Sequence, residues 1–232
     1  MAVTLALPIR AGAEEPVWRV TTTDGPPVEA LSGAYASSRY VSLYHGATYA
    51  PWSSPDIDGY RFRIVGGSGV HRDKASVLSA TATAFTEALG GYHWSTPWGT
   101  AKAFGGIVGG GRVVTPSAYV RPTVDGALGW KVLGEGWINL TRESFAQIDV
   151  GLGSLGTRAR AQVRGGLRVS PSVAVGPDLW FERRDERGGE SGAGGFVRSW
   201  WAGGEVTVSA GWSADTDGDF SPYVTFNVLT RR

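Results

Sequence analysis

Polar and apolar side chains trade places at every second position through one stretch of this chain after another. A repeat of two belongs to a β-strand with unlike environments on its two faces, whereas a helix repeats at about 3.6. The clearest stretch is 158–169, where Arg158, Arg160, Gln162, Arg164, Gly166 and Arg168 alternate with Ala159, Ala161, Val163, Gly165, Leu167 and Val169. In 173–184 the residues Val173, Val175, Pro177, Leu179 and Phe181 take one face, and Asp178, Trp180, Glu182 and Arg184 the other. Upstream, Lys131, Leu133, Glu135 and Trp137 oppose Trp130, Val132, Ile138 and Leu140, and then Gln147 and Asp149 oppose Ala146, Ile148, Val150 and Leu152. No segment carries a capped, sustained helical period.

Further strands are expected at about 28–36, 39–50, 58–71, 77–95, 99–110, 195–204, 205–213 and 221–230, which brings the count to about twelve. Compact turns with proline or hydroxyl residues fall at 51–55, 95–98, 140–143 and 169–172, and longer or more charged connections at 111–125, 185–194 and 214–221. Short turns at one end and longer loops at the other are the layout of an up-and-down outer-membrane barrel. The expected fold is therefore all-β: a single antiparallel barrel of about twelve strands, of outer-membrane type.

Three features favour that barrel over a soluble β-sandwich binding module, which alternation alone leaves open. The strands reach the nine to eleven residues that cross a bilayer at a tilt. Both charge signs occupy the polar faces of adjacent strands. Tryptophans (Trp94, Trp98, Trp130, Trp137, Trp180, Trp200, Trp201 and Trp212) gather towards strand ends, as in an interfacial girdle, although Trp137 and Trp180 fall on the polar face. Glycine, at 35 of 232 residues, includes the in-strand doublets 66–67, 90–91, 105–106, 165–166 and 203–204, which close packing in a small lumen and a curved wall would both use. The barrel is expected over 28–232, preceded by a truncated signal peptide at 1–13 ending in Ala11-Gly12-Ala13 and an extension at 14–27.

Composition closes several functional classes. With no cysteine there is no thiol nucleophile, zinc ribbon or disulfide scaffold. A formal charge of +1 supplies no field for bulk nucleic-acid binding. The three histidines, His45, His71 and His93, have no metal-motif spacing, and no cofactor motif is present; Gly109-Gly110-Gly111-Arg112 lacks the Lys-Ser/Thr end of a phosphate loop. His93 and Ser95 lie close in sequence without a nucleophile elbow. Asp215, Asp217 and Asp219 resemble the start of a calcium loop, yet its twelfth position holds Phe226 rather than glutamate.

The succession Asp58-Gly59-Tyr60-Arg61-Phe62-Arg63, Gly90-Gly91-Tyr92-His93-Trp94, Gly134-Glu135-Gly136-Trp137-Ile138-Asn139 and Leu167-Arg168-Val169-Ser170-Pro171 resembles the cellulose biosynthesis protein BcsS family over about 28–230. The resemblance implies a barrel at the bacterial outer membrane without an assigned catalytic step, in contact with outer-membrane lipid. It also implies cellulose, or the cellulose synthase and export components, as partners.

The constellation of interest is the arginine column. Arg158, Arg160, Arg164 and Arg168 would face inward beside Asp149, Asp178, Glu182, Lys131 and Glu135, as a lumen ion-pair network that fills the barrel. The alternative is a charged ring that guides solutes, as in a porin-like small-solute channel.

Overall fold

A computed structural model describes residues 28–52, 57–72, 80–115, 123–184 and 188–231. The expected signal peptide and extension, 1–13 and 14–27, lie outside them. Twelve strands follow one another: β1 (Val28–Ser37), β2 (Tyr40–Tyr49), β3 (Gly59–Arg72), β4 (Ala80–Thr96), β5 (Gly99–Thr115) and β6 (Thr123–Asn139). The second half is β7 (Ser144–Gly153), β8 (Thr157–Ser170), β9 (Val173–Arg184), β10 (Gly188–Trp201), β11 (Gly204–Asp215) and β12 (Phe220–Arg231). Each pairs antiparallel with its sequence neighbours, and β1 closes on β12 in a register running from Glu29 opposite Arg231 to Ser37 opposite Tyr223. Closure satisfies every ladder and leaves no edge, which an apolar surround demands of a sheet.

Strands of 10 to 17 residues make the wall. Ten residues rising about 3.3 Å each, tilted about 40°, stand roughly 25 Å tall, the height of a barrel's apolar band. The faces are sorted in the opposite sense to a soluble protein. Outward point Leu43, Ile64, Ile107, Leu128, Ile148, Val163, Leu179, Phe181 and Val208, each at least 40 % exposed. Inward, Arg61, Glu29 and Asp178 are 2 % exposed or less. A sandwich would bury the column of Leu179 and Phe181; here it faces out.

Aromatics mark the end of the barrel where β1 starts and β12 stops, called here the near end. Trp52, Tyr60, Tyr92 and Trp94 meet edge to edge or tilted at centroid distances of 6.1, 5.3 and 5.0 Å, with Trp98 and Trp201 exposed on the same rim. Trp130 and Trp212 are exposed on the outer face towards the far end. Trp200 departs from the girdle reading: it is 7 % exposed inside the lumen, because its strand partner sequence places even-numbered β10 residues inward.

Two expected loops prove to be wall. β5 continues to Thr115, β6 begins at Thr123, and β10 begins at Gly188, so much of 111–125 and 185–194 is strand. Glycine runs carry no alternation to read, yet they pair in a ladder as any residue does. The doublets serve close packing in the lumen, one of the two uses expected of them. Gly67, Gly91 and Gly166 face the lumen beneath the rings of Phe85, Phe104 and Phe145, where an added Cβ would strike the ring. Gly69 and Gly192 cradle Tyr40 and Trp180 in the same way. Gly203 alone of the doublet residues has a left-handed backbone, φ 101°, and turns the two-residue connection between β10 and β11.

Candidate functional site

The lumen is stacked with side chains in three levels. At the near end Phe145 is fully buried, its ring stacked on Trp137 at 3.9 Å and flanked by Phe196 and Trp200, each at 6.3 Å. The Arg198 guanidinium lies among these rings, 5.1 Å from Trp137 and 5.7 Å from Phe145 and Phe196. It donates to Thr207 Oγ1 at 2.9 Å and to Gln147 Oε1 at 2.5 Å, with Glu205 at 3.9 Å. Ring faces and neutral acceptors thus share the solvation of a cation that is 3 % exposed. On the same level Lys102 and Arg231 both hold Glu29, each at 3.1 Å.

Across the middle, Arg63 forks onto Glu135 through both nitrogens, donates to Thr48 Oγ1 at 2.9 Å and covers the Phe104 ring at 4.1 Å. Lys131 pairs with Glu87. Asp178, fully buried, accepts from Gln162 at 2.8 Å and from Arg164 at 3.3 Å, and Gln147 donates to Asp149 at 2.7 Å. Charged hydrogen bonds of this kind keep a low-dielectric interior tolerable, since an uncompensated buried ion is far more costly than a paired one.

Towards the far end Tyr35 stacks on Tyr223 at 6.2 Å and meets Trp180 and Tyr40 at 6.0 and 5.9 Å. Above this layer Arg184 binds Glu182, which also accepts from Thr157 Oγ1 at 2.9 Å, and Arg39 reaches Asp215 at 3.2 Å and Asp219 at 3.0 Å. A cavity of about 470 Å³ opens there.

The arginine column is only partly the arrangement that parity suggests. Gln162, Arg164 and Arg168 keep their inward phase on β8, facing Asp178, Trp180 and Asn139. At Arg158 the β8–β9 register shifts between Thr157 and Ala159; Arg158 and Arg160 are exposed, and Thr157 Oγ1 donates to Glu182. Arg160 donates to Gln162 at 3.4 Å, and Arg168 to the Arg142 carbonyl at 2.7 Å and Asn139 at 2.9 Å. Glu182, Lys131 and Glu135 take their partners elsewhere, from Arg184, Glu87 and Arg63. Sequence reasoning missed Arg63, Arg198, Glu29, Glu87 and Lys102, although the run Tyr60-Arg61-Phe62-Arg63-Ile64 shows the same two-residue repeat.

The calcium reading of Asp215, Asp217 and Asp219 fails on geometry. Asp215 Oδ1 accepts the Asp217 and Asp219 amides, both at 3.0 Å, while Oδ2 and the Asp219 carboxylate face Arg39. A cation would have to displace a guanidinium. Among the described residues no cluster of three or more His, Asp or Glu is set to hold a metal. His93 lies 3.1 Å from Arg61 and is buried, whereas His45 faces outward and meets Ser32 at 2.6 Å.

The sequence model of a family described as cellulose biosynthesis protein BcsS matches residues 31–232. No curated protein matches the chain in sequence. Among solved structures, the translocator domain of autotransporter NalP from Neisseria meningitidis superimposes with a TM-score of 0.57 at 9 % identity, over 92 % of this chain and 90 % of that one. The β domain of the Bordetella autotransporter Brka gives 0.54 at 12 % identity, over 90 % and 99 %. The transport unit of autotransporter AIDA-I from Escherichia coli gives 0.51 at 8 %, over 91 % and 92 %. At such identities the likeness is one of fold.

Proposed function

The chain belongs to the cellulose biosynthesis protein BcsS family, and from that membership we propose that it is a non-enzymatic barrel of the bacterial outer membrane that supports cellulose production. The inverted sorting of side chains carries the placement: Leu128, at 84 % exposure, and its outward companions suit lipid, while the charges suit only the interior. The near end faces the periplasm, since four of its five connections, 97–98, 140–143, 171–172 and 202–203, have two to four residues (the fifth spans 50–58), whereas β3 to β6 lengthen towards the far end.

The lumen is closed by its own side chains rather than held open for solutes. Support comes from the fully buried Phe145 and Asp178 and from Arg63 reaching across to Glu135. Such a barrel serves as an anchor or guide for cellulose or for the synthase and export components, not as a general pore. Fractionation of the envelope, with heat-dependent gel mobility of the barrel, tests the placement. Deletion of the gene tests the role. The expected outcome is recovery with outer-membrane markers and a fall in extracellular cellulose that the intact gene restores. Recovery with soluble periplasmic proteins, or unchanged cellulose, would contradict it.

A further inference from the structure

We propose that the outer face of β1 to β4 is a membrane-embedded interface with a second copy of this chain, centred on His45 and Gly66. The inference rests on the outer-membrane placement above and adds a partner to it. Ser32 and His45 stand opposite each other at the middle of two ten-residue strands, and both point away from the lumen. About five residues of tilted strand put them roughly 12 Å from either rim. Hydrocarbon at that depth offers neither donor nor acceptor, and lipid headgroups lie at the rims. Ser32 meets His45 Nδ1 at 2.6 Å, which leaves Nε2, at the exposed tip of the ring, facing hydrocarbon. A polar group so placed is costly unless protein covers it.

The surroundings suit such a cover. Ala30 and Ala34 on β1, Ala47 on β2, and Gly66 and Ser68 on β3 border the pair. Within a membrane, small side chains let two backbones approach, and packing and hydrogen bonds rather than hydrophobicity drive association. On the other side of the wall β6 to β9 present Leu128, Val132, Ile148, Val150, Val163 and Leu179, a large aliphatic surface that lipid solvates.

Self-complementarity names the occupant. His45 is a protruding ring, and its register partner Gly66 on β3 is a hollow beside it. Thr86 borders that hollow, its Oγ1 3.9 Å from where a Gly66 Cβ would stand. A two-fold axis along the bilayer normal, passing between His45 and Gly66, keeps each residue at its own depth. The imidazole of each copy then lies over Gly66 of the other, with the Thr86 hydroxyl beside it to donate or accept. Four strands about 4.8 Å apart over about 25 Å of height supply roughly 500 Å² per copy. The total of about 1,000 Å² is the lower bound of a specific interface.

The chain has no cysteine, so a single introduced thiol reports its own neighbours. Ala47→Cys, next to the proposed axis, and Val163→Cys, on the aliphatic side, are to be oxidised in isolated outer membranes and run on non-reducing gels. Ala47→Cys is expected to give a disulfide-linked band at twice the monomer mass, and Val163→Cys to remain monomeric. Adding Gly66→Leu fills the hollow, while the wall itself has room, since a Cβ there meets nothing closer than 3.6 Å. The dimer fraction should fall about fivefold or more, and likewise with His45→Leu, which removes both symmetric hydrogen bonds. His45→Leu serves alone if Gly66→Leu does not fold by heat-dependent mobility. No dimer of Ala47→Cys, equal dimer from Val163→Cys, a product of another mass, or a dimer unchanged by both leucines would overturn the interface. Recovery of the variants with soluble proteins would instead remove the membrane placement, and the interface with it.

Discussion

Gly166 and Gly165 are adjacent on β8 but face opposite ways, and they make a matched test of what glycine does in this wall. A Cβ on Gly166 would enter the Phe145 ring, while one on Gly165 would find Pro177 Cγ at an ordinary 3.8 Å. Gly166→Ala is therefore expected to cost about 1–3 kcal/mol, the range for overpacking, and Gly165→Ala to be close to neutral. The midpoint temperature of the folded-to-unfolded gel shift checks both. Asp178 supplies a second residue-scale expectation. Asp178→Ala leaves Arg164 buried without its carboxylate and should cost about 3–5 kcal/mol. Pairing Asp178→Leu with Arg164→Met should recover much of that loss, because two apolar groups need no counter-ion. Equal loss in the single and double variants, by the same gel shift, would argue against the pair as the cause.

Elements fail or hold at the closure between β1 and β12, which ion pairs clamp at both ends. At the far end Arg39 and Asp219 have side chains 31 % and 43 % exposed, so the clamp sits largely in water. Arg39→Ala is expected to cost under about 1 kcal/mol and to be read instead as faster amide exchange in β1 and β12. At the near end the buried Glu29 serves both Lys102 and Arg231, so Glu29→Gln should lower the unfolding midpoint more than Arg39→Ala. The elements themselves were largely legible in the sequence, because parity survives wherever polar and apolar residues alternate. It fades after Gly109-Gly110-Gly111 and in 188–194, where glycine shows no preference for either face, and there 111–115 and 188–194, which are strand, read as loops. The site was legible to a lesser degree. Parity sets the face on which Arg164 or Glu135 lies, but not what stands across the lumen. Arg63 is 72 positions from Glu135 in the chain and meets it only after twelve strands have closed. Nor does parity show the register shift between Thr157 and Ala159, beside Arg158.

For the molecule as a whole, near-zero net charge conceals a segregated distribution. Most charged side chains in the wall turn inward and meet opposite signs, and the outer face is left to Leu, Ile, Val and aromatic residues. The twelve-stranded closed wall has the likeness of autotransporter translocator domains in fold. What fills the barrel belongs to this chain's own residues. The central claim is that those residues close it, and single-channel recording in a planar lipid bilayer tests this most directly. Insertion is to be verified by protection of the barrel from protease. The account predicts no steady conductance for the inserted wild-type protein, and the appearance of current when Arg63, Glu135 and Phe145 are replaced together by Ala, Gln and Ala. A stable, ohmic, porin-like current through the wild-type barrel would contradict it.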